Sequence, residues 1–335
     1  MTLLDCLKTL TFEEMTLRHS TVMAAAEGTN EWIWTYQEYQ DWENQQSGIL
    51  WIQGKPGSGK SVLAKTIYAK LARESPDLVC SWFYSRQFGQ KTITHDSLLR
   101  AFLQQMLSCE PKLFGHYEDV YRNLPPEGWS AGAMKAVLVG IANSGKKMIC
   151  IIDAMDESAS GEGKWSRYDI LNFLEQLAFQ SPTSCAKIIV LSRPIDEDQY
   201  FQDESCYRII LQDSNRSDII RVIEIGVESI HHVLYSPKGT HPDAKGSAFH
   251  SQMLVRKKRQ LGRAKAVMRQ FSATVADLGA KEAQVLQEIK DYVLTNAHGV
   301  ILWASTVMDE MLKLAGSPTF SLSCCARRLS RCPKA

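Results

Sequence analysis

One glycine-rich turn constrains this chain more than any other feature. It spans Gly54 to Ser61, reads Gly-Lys-Pro-Gly-Ser-Gly-Lys-Ser, and matches the pattern G-x-x-x-x-G-K-[ST]. Residues 49–52 before it are an apolar run typical of a strand, and residues 62–68 after it have helical apolar spacing. Such a strand–loop–helix unit wraps a phosphate with backbone N–H groups at a helix N-terminus. The sequence therefore predicts a nucleotide-binding P-loop.

Each position of the P-loop has an expected role. We assign nucleotide binding to the whole turn, which consists of Gly54, Lys55, Pro56, Gly57, Ser58, Gly59, Lys60 and Ser61. Lys60 is expected to contact the β- and γ-phosphate oxygens, and the Ser61 hydroxyl is expected to ligate Mg²⁺. The alternative is a chance glycine turn before an ordinary helix. Average residue frequencies make such a match in a chain of this length roughly a one-in-a-hundred event.

Four further runs predict the other strands of a sheet. They cover residues 78–85, 147–153, 187–194 and 207–211, and helical apolar patterns separate them. Alternating strands and helices are typical of an α/β fold. We expect a three-layer P-loop NTPase with a five-stranded parallel sheet in the order 5-1-4-3-2, followed by a small helical subdomain. Right-handed crossovers support that order, in which the fourth strand separates the P-loop strand from the third.

The third run ends in the acids Asp153, Asp156 and Glu157. Open α/β sheets bind ligands at the carboxyl ends of their strands, so we expect Asp153 to hold Mg²⁺ together with Ser61. Asp156 and Glu157 are candidate catalytic residues, because a carboxylate beyond the strand end can orient or deprotonate an attacking water. Glu157 is the preferred base and Asp156 its nearest substitute. The alternative is that these acids only cap the next helix.

An arginine stands at the tip of the fourth run. Arg193 precedes Pro194, which ends the strand. A guanidinium at this position can approach the γ-phosphate from across the sheet and sense whether it is present. Arg193 is therefore a third candidate catalytic residue, and an ordinary surface arginine is the alternative.

Aromatic residues are concentrated before the P-loop. We expect a helix, capped by Thr29, to pack some of them onto the sheet; they are Trp32, Tyr36, Tyr39 and Trp42. The alternative is that the turn at 28–32 helps to cover an adenine base, which requires apolar faces rather than charge.

Composition divides the chain into regions. We expect a helical and aromatic lead-in at 1–48, a nucleotide-binding domain at 49–230, a basic irregular insertion at 231–280, a helical subdomain at 281–315 and a disordered tail at 316–335. The net charge of +1 conceals a net +8 over residues 231–270, so the remainder carries −7. This mildly acidic balance argues against a nucleic-acid partner for the nucleotide-binding domain.

Apolar runs and cysteines indicate the cellular compartment. No apolar run is long enough to span a membrane, and residues 1–11 have neither a basic nor a long apolar leader. The nine cysteines include no C-x-x-C pair, which argues against a disulfide framework or a zinc site. We expect a cytoplasmic protein without a membrane partner.

Several separated signatures occur together in this chain. They are Gly28-Thr29 with Trp32, the P-loop with residues 50–53 before it, Asp153-Ala154-Met155-Asp156-Glu157, residues 189–194 and residues 297–304. Over roughly residues 6–230 and 285–315 they resemble the NACHT module of fungal NLR-like signalling ATPases of the STAND class, the group with a nephrocystin-3-like N-terminal region. The resemblance implies ATP or dATP with Mg²⁺, slow hydrolysis, and homo-oligomerisation on activation as a switch in non-self recognition.

More than one function is compatible with the sequence. The leading hypothesis is a nucleotide-controlled signalling ATPase that acts on an unknown effector. A nucleotide-binding scaffold without turnover is the main alternative. A small-molecule kinase is less favoured, because the acids after the third strand favour water as the nucleophile. A GTPase is disfavoured, because the chain has no Asn-Lys-x-Asp motif.

Overall fold

The computed structural model describes residues 2–75, 77–159, 167–195, 206–235 and 280–315. The expected basic insertion, apart from 231–235 and 280, and the expected tail at 316–335 lie outside these residues. The chain divides into two compact units. One comprises Met1–Ala25 with Asn30–Ser214, and the other Ala26–Thr29 with Asn215–Ala335. The domain limits expected from the sequence stay predictions.

The first unit is built on a five-stranded parallel sheet. Its strands are β1 (Gly48–Gln53), β2 (Leu78–Phe83), β3 (Met148–Asp153), β4 (Ala186–Ser192) and β5 (Cys206–Ile210). Their order across the sheet is β2-β3-β4-β1-β5, and all neighbours are parallel. The predicted order is confirmed, and β4 separates the P-loop strand from β3. The predicted fifth strand, 207–211, was displaced by one residue, because Cys206 already pairs with Ile49 and Leu211 belongs to the next helix.

Helices cover both faces of the sheet. In this unit they are α1 (Leu3–Leu10), α2 (Leu17–Thr21), α3 (Gln37–Asn44), α4 (Lys60–Glu74), α5 (His95–Cys109), α6 (Phe114–Arg122), α7 (Ala131–Ala142), α8 (Arg167–Phe179) and α9 (Leu211–Ser214). Alternate strand residues point to opposite faces. Trp51 accordingly joins a hydrophobic cluster with α1, α5, α7 and α8, whereas Leu50 and Ile52 join one with α3 and α4. The predicted three-layer α/β fold is confirmed.

Every residue of β1 to β4 is buried. A strand that is covered on both faces has no solvent-exposed side. Its sequence is therefore a nearly continuous run of apolar residues. This is why these four strands could be predicted from their apolar sequences.

The aromatic lead-in differs from its prediction in one respect. Tyr39 and Trp42 of α3 are almost fully buried, as expected, and Trp42 Nε1 donates to the Gly48 carbonyl at 3.2 Å. The cap at Thr29 was wrong, because its hydroxyl donates to the Ala26 carbonyl at 2.7 Å. Asn30 has φ 64° and is followed by a 3-10 turn at Glu31–Thr35, so the helix itself starts later, at α3.

The second unit contains three described helices, α10 (Arg216–Tyr235), α11 (Ala280–Asn296) and α12 (Ile301–Ala315). Their apolar faces form one core, and α10 approaches α12 so closely that a Cβ on Gly226 would lie 2.7 Å from Met308 Cε. The buried Asn215 donates from Nδ2 to the Gly299 carbonyl at 2.9 Å and so fixes the turn between α11 and α12. The predicted small helical subdomain is confirmed. None of the described helices is long and apolar enough to cross a membrane.

Candidate functional site

The loop between β1 and α4 has a backbone that requires glycine. Gly57 and Gly59 have φ values of 76° and 100°, in the left-handed region that side chains disfavour. Gly54 is required for a different reason, since a Cβ there would lie 2.6 Å from Ser58 Oγ and 3.1 Å from Leu211 Cβ. The glycine spacing of the sequence pattern therefore has a steric cause in this fold.

Neighbouring elements hold the first half of the P-loop. The Gly54 N–H donates to the Ser192 carbonyl at 3.1 Å, and Trp51 Nε1 donates to Ser192 Oγ at 2.9 Å. The Lys55 N–H donates to Gln212 Oε1 of α9 at 3.2 Å. The loop is thus tied to β4 and α9. Ser192 belongs to the signature at residues 189–194, but the sequence carries no local signal for Gln212, which acts through a tertiary contact.

Lys60 is the first residue of α4 and lies against the P-loop. Its Nζ donates to the carbonyls of Gly54 at 2.6 Å and Lys55 at 2.9 Å. Burial lowers the pKa of Lys60, while the charges of Asp156 and Asp153 oppose that effect. The ammonium group is therefore within electrostatic range of the acids that follow β3. Lys55, in contrast, is exposed.

Asp153 ends β3 and is fully buried. Neither of its carboxylate oxygens accepts a hydrogen bond of standard geometry from a described residue. Burial raises the pKa of Asp153 to about 6, and the nearby Ser61 hydroxyl, the second residue of α4, is the strongest opposing influence. Ser61 is thus close to the carboxylate without completing a hydrogen bond. Burying a carboxylate without a partner costs free energy. The Asp153 carboxylate and the Ser61 hydroxyl together are therefore a candidate site for a cation.

The donor chemistry fits Mg²⁺. A carboxylate and a hydroxyl are hard oxygen ligands, and Mg²⁺ is usually held by one or two such groups together with substrate phosphates. Within the described ranges, no cluster of three or more His, Cys, Asp or Glu residues could hold a metal by itself. Asp153 and Ser61 therefore suit a metal whose remaining ligands come from a nucleotide.

The two candidate bases lie on opposite sides of β3. Asp156 accepts a hydrogen bond from the Arg193 N–H at 3.0 Å, at the end of β4 and thus toward the P-loop strand. Glu157 accepts from the Arg86 N–H at 3.0 Å, beyond the end of β2 and thus toward the sheet edge. The charge of Asp156 acts on Lys60, whereas Glu157 is not among the groups that influence the pKa of Lys60. This geometry favours Asp156 as the acid on the phosphate side.

The third candidate, Arg193, pairs with Asp156. Its Nε lies 3.3 Å from Asp156 Oδ2, and about half of the arginine side chain is exposed. The charge of Arg193 also lowers the pKa of Lys60. The structure therefore brings Arg193, Asp156 and Lys60 into one electrostatic group. Their contact with a γ-phosphate stays a prediction.

The turn after β3 depends on two residues that the sequence did not reveal. Ala154 has φ 55°, which is strained for a residue with a side chain. The buried Arg167 of α8 donates from Nη2 to the carbonyls of Asp156 at 3.0 Å and Ser158 at 3.2 Å, and from Nε to that of Met155 at 3.2 Å. These bonds fix the acidic turn. An arginine at the start of a later helix carries no sequence signal for such a role.

Two sequence comparisons find proteins that are similar to this chain. Residues 28–193 match the family described as Nephrocystin 3, N-terminal. The vegetative incompatibility protein HET-E-1 of Podospora anserina is 23% identical over 290 residues, which cover 84% of this chain and 18% of that protein. The chain thus spans less than a fifth of the length of this relative.

Two solved structures are distantly similar. Cdc6p from Pyrobaculum aerophilum is 11% identical with a TM-score of 0.40, covering 64% of this chain and 52% of that one. A Signal Transduction ATPase with Numerous Domains (STAND) protein with a tetratricopeptide repeat sensor, from Pyrococcus horikoshii, is 14% identical with a TM-score of 0.32, covering 86% and 44%. Similarity at this level carries no information about ligand or activity.

The family match covers the P-loop, the acidic turn after β3 and Arg193, which are the signatures that carry the resemblance noted in the sequence. Residues 28–193 match the family model described as Nephrocystin 3, N-terminal, and this match, together with the similarity to HET-E-1, supports a NACHT-like domain of the P-loop NTPase class in this chain.

Proposed function

We propose that this domain binds ATP or dATP with Mg²⁺ and hydrolyses it slowly. The observation that carries the proposal is the buried Asp153 carboxylate, which lies beside Ser61 with neither oxygen hydrogen bonded to a described residue. The same site includes the P-loop, whose glycines are sterically required. A nucleotide with its metal supplies both of the missing partners, a cation for the acid and phosphates for the loop.

The chain's own residues have distinct tasks in this proposal. The P-loop N–H groups bind the phosphates, and Lys60 exchanges its carbonyl contacts for the β- and γ-phosphate oxygens. Asp153 and Ser61 would hold Mg²⁺, which would supply charge neutralisation for the phosphates. Because each lysine–phosphate or metal–oxygen contact is charge-assisted, these contacts contribute more than neutral hydrogen bonds do.

The remaining candidates act on the attacking water. Asp156 orients it from the phosphate side of β3, and Arg193, which pairs with Asp156, releases that carboxylate when it contacts the γ-phosphate. Glu157 is the second candidate base, and its contact with Arg86 must open before it can act. The proposal therefore ranks Asp156 above Glu157 in hydrolysis.

A signalling role extends the proposal. The similarity to a vegetative incompatibility protein supports a cytoplasmic switch in non-self recognition, in which the nucleotide state controls homo-oligomerisation and the output to an effector. Nucleic acid and membrane are not partners in this proposal.

A scaffold that binds nucleotide without turnover is the second candidate. The observation in its favour is that both candidate bases are already engaged, Asp156 with Arg193 and Glu157 with Arg86. If those contacts persist with nucleotide bound, neither acid is available to water.

Two measurements test the proposal. The nucleotide retained through purification is identified by chromatography, and we expect an adenine nucleotide. Single-turnover cleavage of bound ATP is then followed with and without Mg²⁺, with turnover expected on the order of once in minutes and dependent on the metal. Binding without cleavage supports the scaffold. Absence of any ATP binding at millimolar concentration contradicts both candidates.

A further inference from the structure

An arginine of the N-terminal segment lies near the proposed metal site without a partner of its own. Arg18 belongs to α2, and its Nε is buried with no hydrogen-bond partner among the described residues. Its guanidinium forms no ion pair within those residues either. A guanidinium carries five N–H donors, and leaving a buried donor unsatisfied is costly. This arrangement indicates a ligand rather than a packing role.

The helix that carries Arg18 is fixed against the site. The ring of His19 packs edge-on against Tyr68 of α4 at 5.4 Å and against Phe83 of β2 at 5.1 Å. Phe83 is the register partner of Asp153 in the sheet. Residue 18 is thus held beside the end of β3.

A second anchor comes from α4. Lys65 Nζ donates to the carbonyls of His19 at 3.0 Å and Val22 at 2.5 Å, at the end of α2. Lys65 follows Ser61 by one helical turn and so lies on the same face of α4. The end of α2 is therefore bound to the helix face that carries the proposed metal ligand.

The electrostatics agree with this placement. The charge of Arg18 lowers the pKa of Asp153, and it comes before the charge of Lys60 among the influences on that carboxyl. The Arg18 side chain is therefore within electrostatic range of Asp153. A cation at Asp153 would repel the guanidinium unless an anion lay between them. Phosphate oxygens fit, because the planar guanidinium can bind two of them at once.

We propose that Arg18 contacts the terminal phosphate of a bound nucleoside triphosphate, so that the N-terminal segment senses the nucleotide state. This inference rests on the proposed function. It makes Arg18 a positioning residue specific for the triphosphate, since a diphosphate leaves the contact unmade. The N-terminal segment is then part of the switch rather than a passive lead-in.

The test compares the dissociation constants of ATP and ADP, with Mg²⁺, for the full chain and its variants. Arg18→Ala should weaken ATP binding about tenfold to a hundredfold, as expected for a charge-assisted contact, and change ADP binding by less than about twofold. Arg18→Lys should recover part of the ATP affinity. Arg73→Ala removes an exposed arginine paired with Glu74 on the same protein and should change neither constant.

The outcomes separate the possibilities. Equal losses for ATP and ADP in Arg18→Ala mean a structural role and overturn the inference, as does an unchanged ATP affinity. Should Arg18→Ala not fold, Arg18→Gln is measured in its place, because its methylene stem preserves part of the packing while its amide carries no charge. A wild-type protein that binds no ATP overturns the proposed function and this inference together. If the wild type binds ATP and Arg18→Ala has the same ratio of ATP to ADP dissociation constants as the wild type, this inference alone is overturned.

Discussion

Arg193 and Asp156 join the ends of two neighbouring strands: Arg193 Nε lies 3.3 Å from Asp156 Oδ2, and the Arg193 N–H donates to Asp156 Oδ1 at 3.0 Å. The carboxylate is thereby held on the side of β3 that faces the P-loop strand. Only a small part of the Asp156 side chain is exposed, so this pair is partly shielded from solvent. The acid and the arginine are coupled, and changes to one should alter the other.

The first prediction concerns the division of labour between the two acids. Asp156→Asn should lower single-turnover ATP cleavage by roughly 10²–10⁴-fold, the usual contribution of a general base, and leave ATP binding nearly intact. Glu157→Gln is the matched variant and should lower the rate less, because Glu157 is held by Arg86 on the other side of β3. If Glu157→Gln alone abolishes cleavage, the base is Glu157. Unchanged rates in both variants favour the scaffold.

The second prediction concerns pH and Asp153. Burial raises the pKa of Asp153 from 3.8 to about 6, so the folded state binds a proton more tightly than the unfolded state does. Stability contributed by the protonated form is then lost as pH rises through this window, by about 3 kcal/mol. Asp153→Asn cannot ionise, so in chelator its free energy of unfolding should rise relative to wild type between about pH 4 and pH 7.5.

Denaturant unfolding of both proteins across that pH range measures the effect. Mg²⁺ added together with ATP should reduce this difference at neutral pH, because the complex is held better by the protein that retains the carboxylate. A stability difference that does not vary with pH would show that Asp153 is not buried as a raised-pKa acid.

The third prediction tests the steric role of Gly54. A Cβ at this position would lie 2.6 Å from Ser58 Oγ, so Gly54→Ala should shift the P-loop and weaken nucleotide binding by more than about tenfold. A Cβ on Gly115 of α6 would meet no neighbouring group within 4 Å, so Gly115→Ala is the control and should leave binding unchanged while stabilising the helix by about 1 kcal/mol. Equal nucleotide affinities for the two variants would mean that the loop tolerates a side chain at 54.

The fourth prediction concerns the strained turn after β3. Ala154 has φ 55°, and relief of that strain by Ala154→Gly should offset the extra chain entropy of glycine, leaving stability unchanged or raised by up to about 1 kcal/mol. Ala136→Gly, at an exposed position in the interior of α7, is the control and should destabilise by about 1 kcal/mol. The midpoints of urea unfolding compare the two variants. A loss of stability at Ala154 as large as that at Ala136 would contradict the strained conformation.

Much of the fold could be predicted from the sequence because the central strands are buried on both faces. Their apolar runs are unambiguous, and the handedness of crossovers then leaves few possible orders. The lead-in was harder to predict, since Asn30 adopts a left-handed conformation and a 3-10 turn precedes α3. Neither feature produces a regular spacing of apolar residues in the sequence. Helix α6 also escaped prediction; Tyr121 is the one residue of this helix that is buried.

The candidate site was predictable only where its chemistry is local in sequence. The P-loop and the acids after β3 are contiguous motifs, so their residues could be named in advance. The contacts that orient these residues are not local: Arg167 fixes the acidic turn from α8, and Gln212 holds the P-loop from α9. The side of β3 on which each acid lies depends on Arg86 and Arg193, which belong to two other strand ends.

The most direct test of the central claim, that the P-loop binds nucleotide phosphates, is the ATP dissociation constant of Lys60→Ala beside that of Lys55→Ala. Lys60 Nζ lies against the loop carbonyls and near Asp153 and Asp156, whereas Lys55 is exposed. Loss of one charge-assisted phosphate contact should weaken ATP binding in Lys60→Ala by about 1.5–3 kcal/mol, roughly tenfold to a hundredfold or more, and Lys55→Ala should bind almost as the wild type does. Equal effects of the two substitutions, or none from Lys60→Ala, would contradict the account.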